Sequence, residues 1–210
     1  ERSSLAASIG FLNYGTIDGR DQSGVHTGDI SVYDWYGAVS YAFAVTPQLS
    51  LGLTGKYINQ KMDDLSASTF AADFGVRYQF EHFVVAAVGA NLGPDMDFEG
   101  VKEHLPSSVR FGMAADFLDR SLLASAEIER RIHGGTVLRN GFEYGYRNQY
   151  FVRAGYNFYP GQEDRSFGAG PSFGVGLRLE RFDFDYAYTL QDSYASDDLH
   201  RFSVVLKLGN

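Results

Sequence analysis

Cysteine is absent from this chain of 210 residues, which excludes a disulfide framework and fits an envelope or secreted protein. No apolar run approaches the ~18 residues of a membrane-crossing helix, so a helical span is excluded as well. Positive charge is in deficit: 18 Lys and Arg stand against 26 Asp and Glu, and the formal net charge of −8 argues against a nucleic-acid partner. His26, His82, His104, His133 and His200 are scattered over different links or strand ends without ligand spacing, so neither a metal nor another cofactor is expected. A signal peptide and an initiator Met are also lacking, and Glu1 is expected to be a processed or truncated start.

What the chain has instead is aromatic residues, glycine and rhythm. It carries 17 Phe, 14 Tyr and 24 Gly beside only 5 Pro. Twelve strand-like segments are joined alternately by short turns and long polar links. The turns are Thr46-Pro47-Gln48, Glu81-His82, Asp119-Arg120, Arg147-Asn148-Gln149 and Glu180-Arg181. The long links fall near 15–30, 60–66, 93–106, 130–136, 159–170 and 191–199. In outer-membrane barrels the periplasmic turns are short and the extracellular loops long, so this alternation predicts a transmembrane antiparallel β-barrel with both termini periplasmic.

Within the segments the apolar residues recur with period two. Phe70, Ala72, Phe74, Val76, Tyr78 and Phe80 share one face of a strand, and Ala71, Asp73, Gly75, Arg77 and Gln79 the other. A soluble sandwich alternates too, but its strands average about 5–6 residues, whereas these approach the roughly 9–11 of a tilted membrane strand. Mean hydropathy is only −0.21, as expected where half of each strand is polar. The pattern predicts Leu51, Leu53, Phe74, Val76, Phe111, Met113, Phe184 and Val204 toward lipid. It predicts Lys56, Asp73, Arg77, Arg110, Asp116, Glu143 and Arg178 toward the interior.

The polar faces carry both signs. Lys56, Arg77, Arg110, Arg139, Arg147, Arg153, Arg178 and Lys207 stand against Asp73, Asp116, Glu127, Glu129, Glu143, Asp183 and Asp185. Such a balance predicts pairing across neighbouring strands rather than an ion-selective pore. The excess acid is assigned to the links, at Asp18, Asp21, Asp29, Asp63, Asp64, Asp95, Asp97, Glu99, Glu103, Glu163, Asp164, Asp197 and Asp198.

Five groupings invite a chemical reading, and each has a plainer one. Pro94 to Gly100 alternates carboxylates but lacks the twelve-residue calcium loop, so it reads as solvated surface. Gly134-Gly135, Gly168-Ala169-Gly170 and Gly174-Val175-Gly176 lack the helix that follows a phosphate cradle. Ser203, His200 and Asp198 are close in sequence without any nucleophile motif, and the acids Asp183 and Asp185 are expected to pair with an interior Arg. Tyr33, Trp35 and Tyr36 read as interfacial girdle rather than a ligand site. No catalytic, binding or metal residue is assigned, and an enzyme is not expected.

A family resemblance runs through the chain in order. Phe11-Leu12-Asn13-Tyr14-Gly15, Leu51 to Tyr57, Ala71 to Tyr78, Gly89 to Pro94 and Leu105 to Gly112 resemble successive blocks of the PorV/PorQ family of outer-membrane proteins. Gly141 to Tyr144, Arg153 to Tyr156, Asp185 to Tyr188 and His200 to Ser203 continue the series. That family is similar in fold to the FadL-type long-chain fatty-acid transporters, fourteen-stranded barrels with an N-terminal plug. The resemblance therefore implies one barrel domain over 1–210 that lacks the plug and the first strands, or else a reduced twelve-strand barrel. The last five residues, Leu206 to Asn210, also lack the terminal aromatic common in barrel assembly signals.

The resemblance implies a binding or scaffold role for secreted proteins, as in type IX secretion, with links 15–30, 93–106, 159–170 and 191–199 as the docking surface. The alternatives are a FadL-like transporter of small hydrophobic compounds and a structural anchor subunit of an envelope complex. Expected partners are outer-membrane lipid, lipopolysaccharide and other envelope or secreted proteins.

Overall fold

All twelve alternating segments form strands in the computed structural model, which describes residues 2–20, 23–63, 65–161, 170–190 and 198–207. They are β1 (Ser3–Arg20), β2 (His26–Ala44), β3 (Leu49–Met62), β4 (Leu65–Gln79), β5 (Phe83–Leu92), β8 (Ser108–Phe117), β9 (Leu122–Arg131), β10 (Thr136–Tyr146), β11 (Tyr150–Phe158), β12 (Gly170–Arg178), β13 (Phe182–Thr189) and β14 (Leu199–Leu206). Two short strands, β6 (Met96–Phe98) and β7 (Val101–Glu103), make a separate hairpin inside the link at 93–106. The twelve long strands form an antiparallel sheet in sequence order, with β8 following β5 directly. Among the described residues no segment is helical.

The five short turns sit where the sequence put them. At Arg147 and Asn148 both φ angles are positive, +53° and +56°, and Gln149 N–H donates to Tyr146 O at 3.1 Å. This left-handed turn matches the twist of the flanking strands. The long links are a different matter. β1 and β2 run on to Arg20 and His26, so most of 15–30 is paired strand, while 60–66 shrinks to residues 63–64 and 130–136 to residues 132–135. Polar side chains do not end a ladder whose backbone groups still find partners across it. Gly15, read as the start of a loop, is a bulge: the register shifts by one between Asn13 and Thr16, Gly15 takes φ +81°, and its N–H donates to Asn13 Oδ1 at 2.8 Å. Parts of the remaining links, residues 21–22, 64, 162–169 and 191–197, lie outside the described residues, and with them Asp21, Asp64, Glu163, Asp164, Asp197 and Gly168-Ala169.

Two compact units divide the chain, Glu1–Arg77 with Val88–Val109 and Tyr78–Ala87 with Arg110–Asn210. In the first, Ile9, Phe11, Val39, Leu51, Leu53, Phe70, Phe74 and Val76 are exposed on one face. In the second, Phe111, Met113, Phe142, Val152, Phe173, Phe184 and Val204 are. Exposed apolar rows on most of the long strands suit hydrocarbon, not water. The buried apolar core is correspondingly small, and among the described residues of the first unit it comprises the cluster Ala67, Ala71, Met96 and Leu105, with Ala90 buried besides.

Candidate functional site

Polar residues alternate with the apolar rows, so each unit gathers its charges on the opposite face. In the second unit they form two ion-pair networks. Arg139 donates to Glu127 Oε1 at 2.7 Å and to Glu129 Oε2 at 2.5 Å, and Arg110 and Arg131 approach the same buried Glu129 at 3.8 and 3.6 Å. Arg153 bridges Glu143 and Asp185, each at 2.5 Å. Arg178 reaches Asp185 at 3.0 Å and Asp183 at 3.6 Å, and Lys207 reaches Asp183 at 2.7 Å. The two acids are therefore held by cations, as their place on one face implied. Arg147 departs from its assignment: it lies in a turn, over the Tyr146 ring at 5.2 Å. Arg131, which the alternation of charges did not single out, joins the network as well.

Between the two networks runs a row without charge. Ser125, Gly141, Gly155, Ser172 and Thr189 are successive partners across β9 to β13. A recess of about 630 Å³ opens above it, bounded by Glu127 and Arg139 on one side and Glu143, Arg153 and Asp185 on the other. Close neighbours explain the glycines: a Cβ on Gly155 would stand 3.1 Å from both Asn140 O and Ser172 Oγ.

The first unit has its own recess of about 630 Å³, lined among others by Ser8, Gly10, Asp34, Tyr36, Thr54 and Lys56. Here too the charges are engaged. Lys56 Nζ is 2.6 Å from Asp73 Oδ2 and donates to Asn91 Oδ1 at 2.8 Å, and Tyr14 OH donates to Asp34 Oδ2 at 3.0 Å. Gly10 and Asn91 were not singled out as site residues in the sequence, and Tyr36 was read as girdle rather than as a wall of this recess. Asn91 did leave a signal, since it precedes Leu-Gly-Pro and takes φ +54°, a conformation Asn tolerates better than most residues.

The aromatic trio splits. Tyr33 and Trp35 lie on the apolar face, where Trp35, Tyr57 and Phe70 follow ring on ring at 5.3 and 5.2 Å, while Tyr36 alternates to the polar face. Ser203, His200 and Asp198 form no triad, because His200 Nδ1 is 2.8 Å from Tyr186 OH and Asp198 accepts from Tyr188 OH. Asp97 Oδ1 accepts from Gly100 N–H at 2.6 Å and Asp95 Oδ1 is 2.8 Å from His104 Nδ1, so these acids serve their own loop. Among the described residues no group of His, Asp and Glu is arranged to hold a metal.

No protein-family model matches the chain, and no curated protein matches it by sequence. Solved structures do match. The Pseudomonas putida toluene transporter TodX aligns with a TM-score of 0.65 at 14% identity, over 96% of this chain and 75% of that one. The Ralstonia pickettii toluene transporter TbuX gives 0.67 at 15%, over 97% and 76%. A Pseudomonas aeruginosa FadL homologue gives 0.53 at 12%, over 89% and 66%. The fold is that of FadL-like outer-membrane β-barrels. The narrower resemblance to PorV/PorQ gains no support from these structures, which are transporters rather than secretion components or enzymes.

Proposed function

We propose that the chain is a FadL-like transporter that passes small hydrophobic compounds across the outer membrane. The observation that carries this reading is the pairing of charges on the polar face. Arg139, Arg153, Arg178, Lys56 and Lys207 all have carboxylate partners, and the space between the networks is floored by Gly and Ser. A face whose charges are mutually satisfied presents little field to an ion and little need for a polar ligand. The toluene transporters that share the fold favour the same class of solute.

The neighbouring structures favour transport over the secretion reading. Of its four links, 15–30 is mostly paired strand and 93–106 buries Met96 and Leu105, while 162–169 and 191–197 lie outside the described residues. Outer-membrane residence, contact with membrane lipid and lipopolysaccharide, periplasmic termini and a single domain over 1–210 belong to this proposal. Purified protein in liposomes tests it. Toluene should enter such vesicles faster than protein-free ones, and planar-bilayer current should be small and weakly ion-selective. Toluene entry equal to that of empty vesicles, with a large cation-selective current, rejects the transporter in favour of a porin.

A further inference from the structure

Segment 93–107 is written largely in polar residues, yet it seats Met96 and Leu105 on the polar face of β3 and β4. Met96 and Leu105 are 3% and 4% exposed, packed with Ala67 and Ala71 and flanked by Ile58 and Phe98. Both ends of the segment are tied to one place. Asn91 N–H donates to Asp73 Oδ1 at 2.8 Å, Asn91 Oδ1 accepts from Lys56 Nζ at 2.8 Å, and Asn91 Nδ2 donates to Pro106 O at 3.2 Å. Ser107 Oγ donates to Asn91 O at 2.5 Å. At the entry, Thr69 Oγ1 donates to Pro94 O at 2.9 Å, and a Cβ on Gly93 would fall 2.1 Å from Phe70 O, so only glycine lets the chain lie this close to β4.

Lys56, Asp73 and Asn91 also line the recess beside Tyr36. The knot that seats the segment is thus part of the wall of that recess. None of the segment's own residues lines the recess, but Ile58 and Asn91, which the segment packs against, do. We propose that segment 93–107 is a cap seated at the edge of the recess of the first unit, and that the Lys56–Asp73–Asn91 knot is the latch that sets how often the cap lifts. The inference rests on the transport reading above. Lys56 and Asp73 side chains are only 20% and 22% exposed, so removing either charge leaves the other poorly solvated against the wall.

Lys56→Met tests the latch by keeping the side-chain length and deleting the charge, and Asn91→Ala provides a second opening variant should the first fold poorly. Lys102→Ala, on the exposed β7 strand of the hairpin, is the control. Amide hydrogen exchange over 93–107 and toluene flux are measured on protein in liposomes. Loss of a charged hydrogen bond should lower protection of the segment by about tenfold or more, with flux rising in parallel and the control unchanged. Unaltered protection in both opening variants overturns the latch. Lost protection with unaltered flux, where the wild type conducts toluene, overturns the cap while leaving transport standing. Flux absent from every variant and from the wild type rejects the transport reading and the cap's role together.

Discussion

Tyr36 lies across Gly10, its partner in the β1–β2 ladder, so closely that a Cβ on Gly10 would stand 2.1 Å from Tyr36 Cε1. β1 is the terminal strand of the sheet order, where a glycine leaves backbone uncovered, and the ring covers it. Gly10→Ala should push the ring into the recess, a movement that a flexible side chain makes at a cost of about 1 kcal/mol or less. In the Tyr36→Ala background the same change should cost nothing. Urea unfolding of the two single variants and the double variant in vesicles measures that coupling, and additive effects would mean the two residues act independently.

Leu53 and Thr54 are neighbours on opposite faces. Leu53 is half exposed on the apolar side, while Thr54 Oγ1 lies 2.8 Å from Ser40 Oγ on the polar side. Leu53→Arg should destabilise the protein by about 2–4 kcal/mol near the bilayer midplane, and Thr54→Arg by much less. Reversed magnitudes in a vesicle unfolding titration would mean that the faces have been assigned the wrong way round.

Arg153 holds two carboxylates that lie 42 positions apart in sequence, Glu143 and Asp185 (185 minus 143). Arg178 still supports Asp185 when Arg153 is lost, so the stranded group is Glu143. With the Arg153 side chain 32% exposed, Arg153→Met should cost about 1–3 kcal/mol, short of the figure for a fully buried pair. Adding Glu143→Gln should recover part of the loss, and Arg153→Lys should rescue poorly because an ammonium has no planar fork. Denaturation midpoints of the three variants check the order.

The turn at Arg147-Asn148 asks for left-handed backbone at both positions. Asn148→Gly should stabilise by about 0.5 kcal/mol, and Asn148→Val should destabilise by about 1–2 kcal/mol. Refolding yield and urea midpoint report both. Equal behaviour of the two variants would show that the turn relaxes to another geometry.

Faces were legible in the sequence because period two is local: Phe70, Phe74 and Val76 point one way whatever the rest of the chain does. The partners of Asp183 and Asp185 were legible as a type, an interior cation, since only oppositely charged groups on the same face lie within reach. Gly15 misled because a glycine between polar residues marks a loop and a bulge equally well. Met96 and Leu105 were hidden for a different reason. Their burial comes from Ala67 and Ala71, some 25 to 38 positions earlier (96 minus 71, 105 minus 67), and no local pattern encodes a loop that turns back upon a wall. The blocks that resemble PorV/PorQ, such as Leu51 to Tyr57 and Ala71 to Tyr78, alternate large apolar with small or charged residues. That is what a membrane strand requires of any barrel, so they report architecture more than task.

The hairpin of β1 and β2 is 18 and 19 residues long, against the roughly 9–11 that cross hydrocarbon. About eight residues of each strand are therefore surplus to the membrane, enough to rise about 20 Å at the usual tilt. Under the proposed membrane placement, with the termini periplasmic, Asp18 and His26, 2.5 Å apart near its end, and Ser23, Gly24 and Val25 at its tip would be carried on a hydrogen-bonded mast clear of the lipid headgroups. Under that placement an epitope inserted at Gly24 should be displayed to antibodies or phage on intact cells, and its absence from the surface would reverse the assigned sidedness.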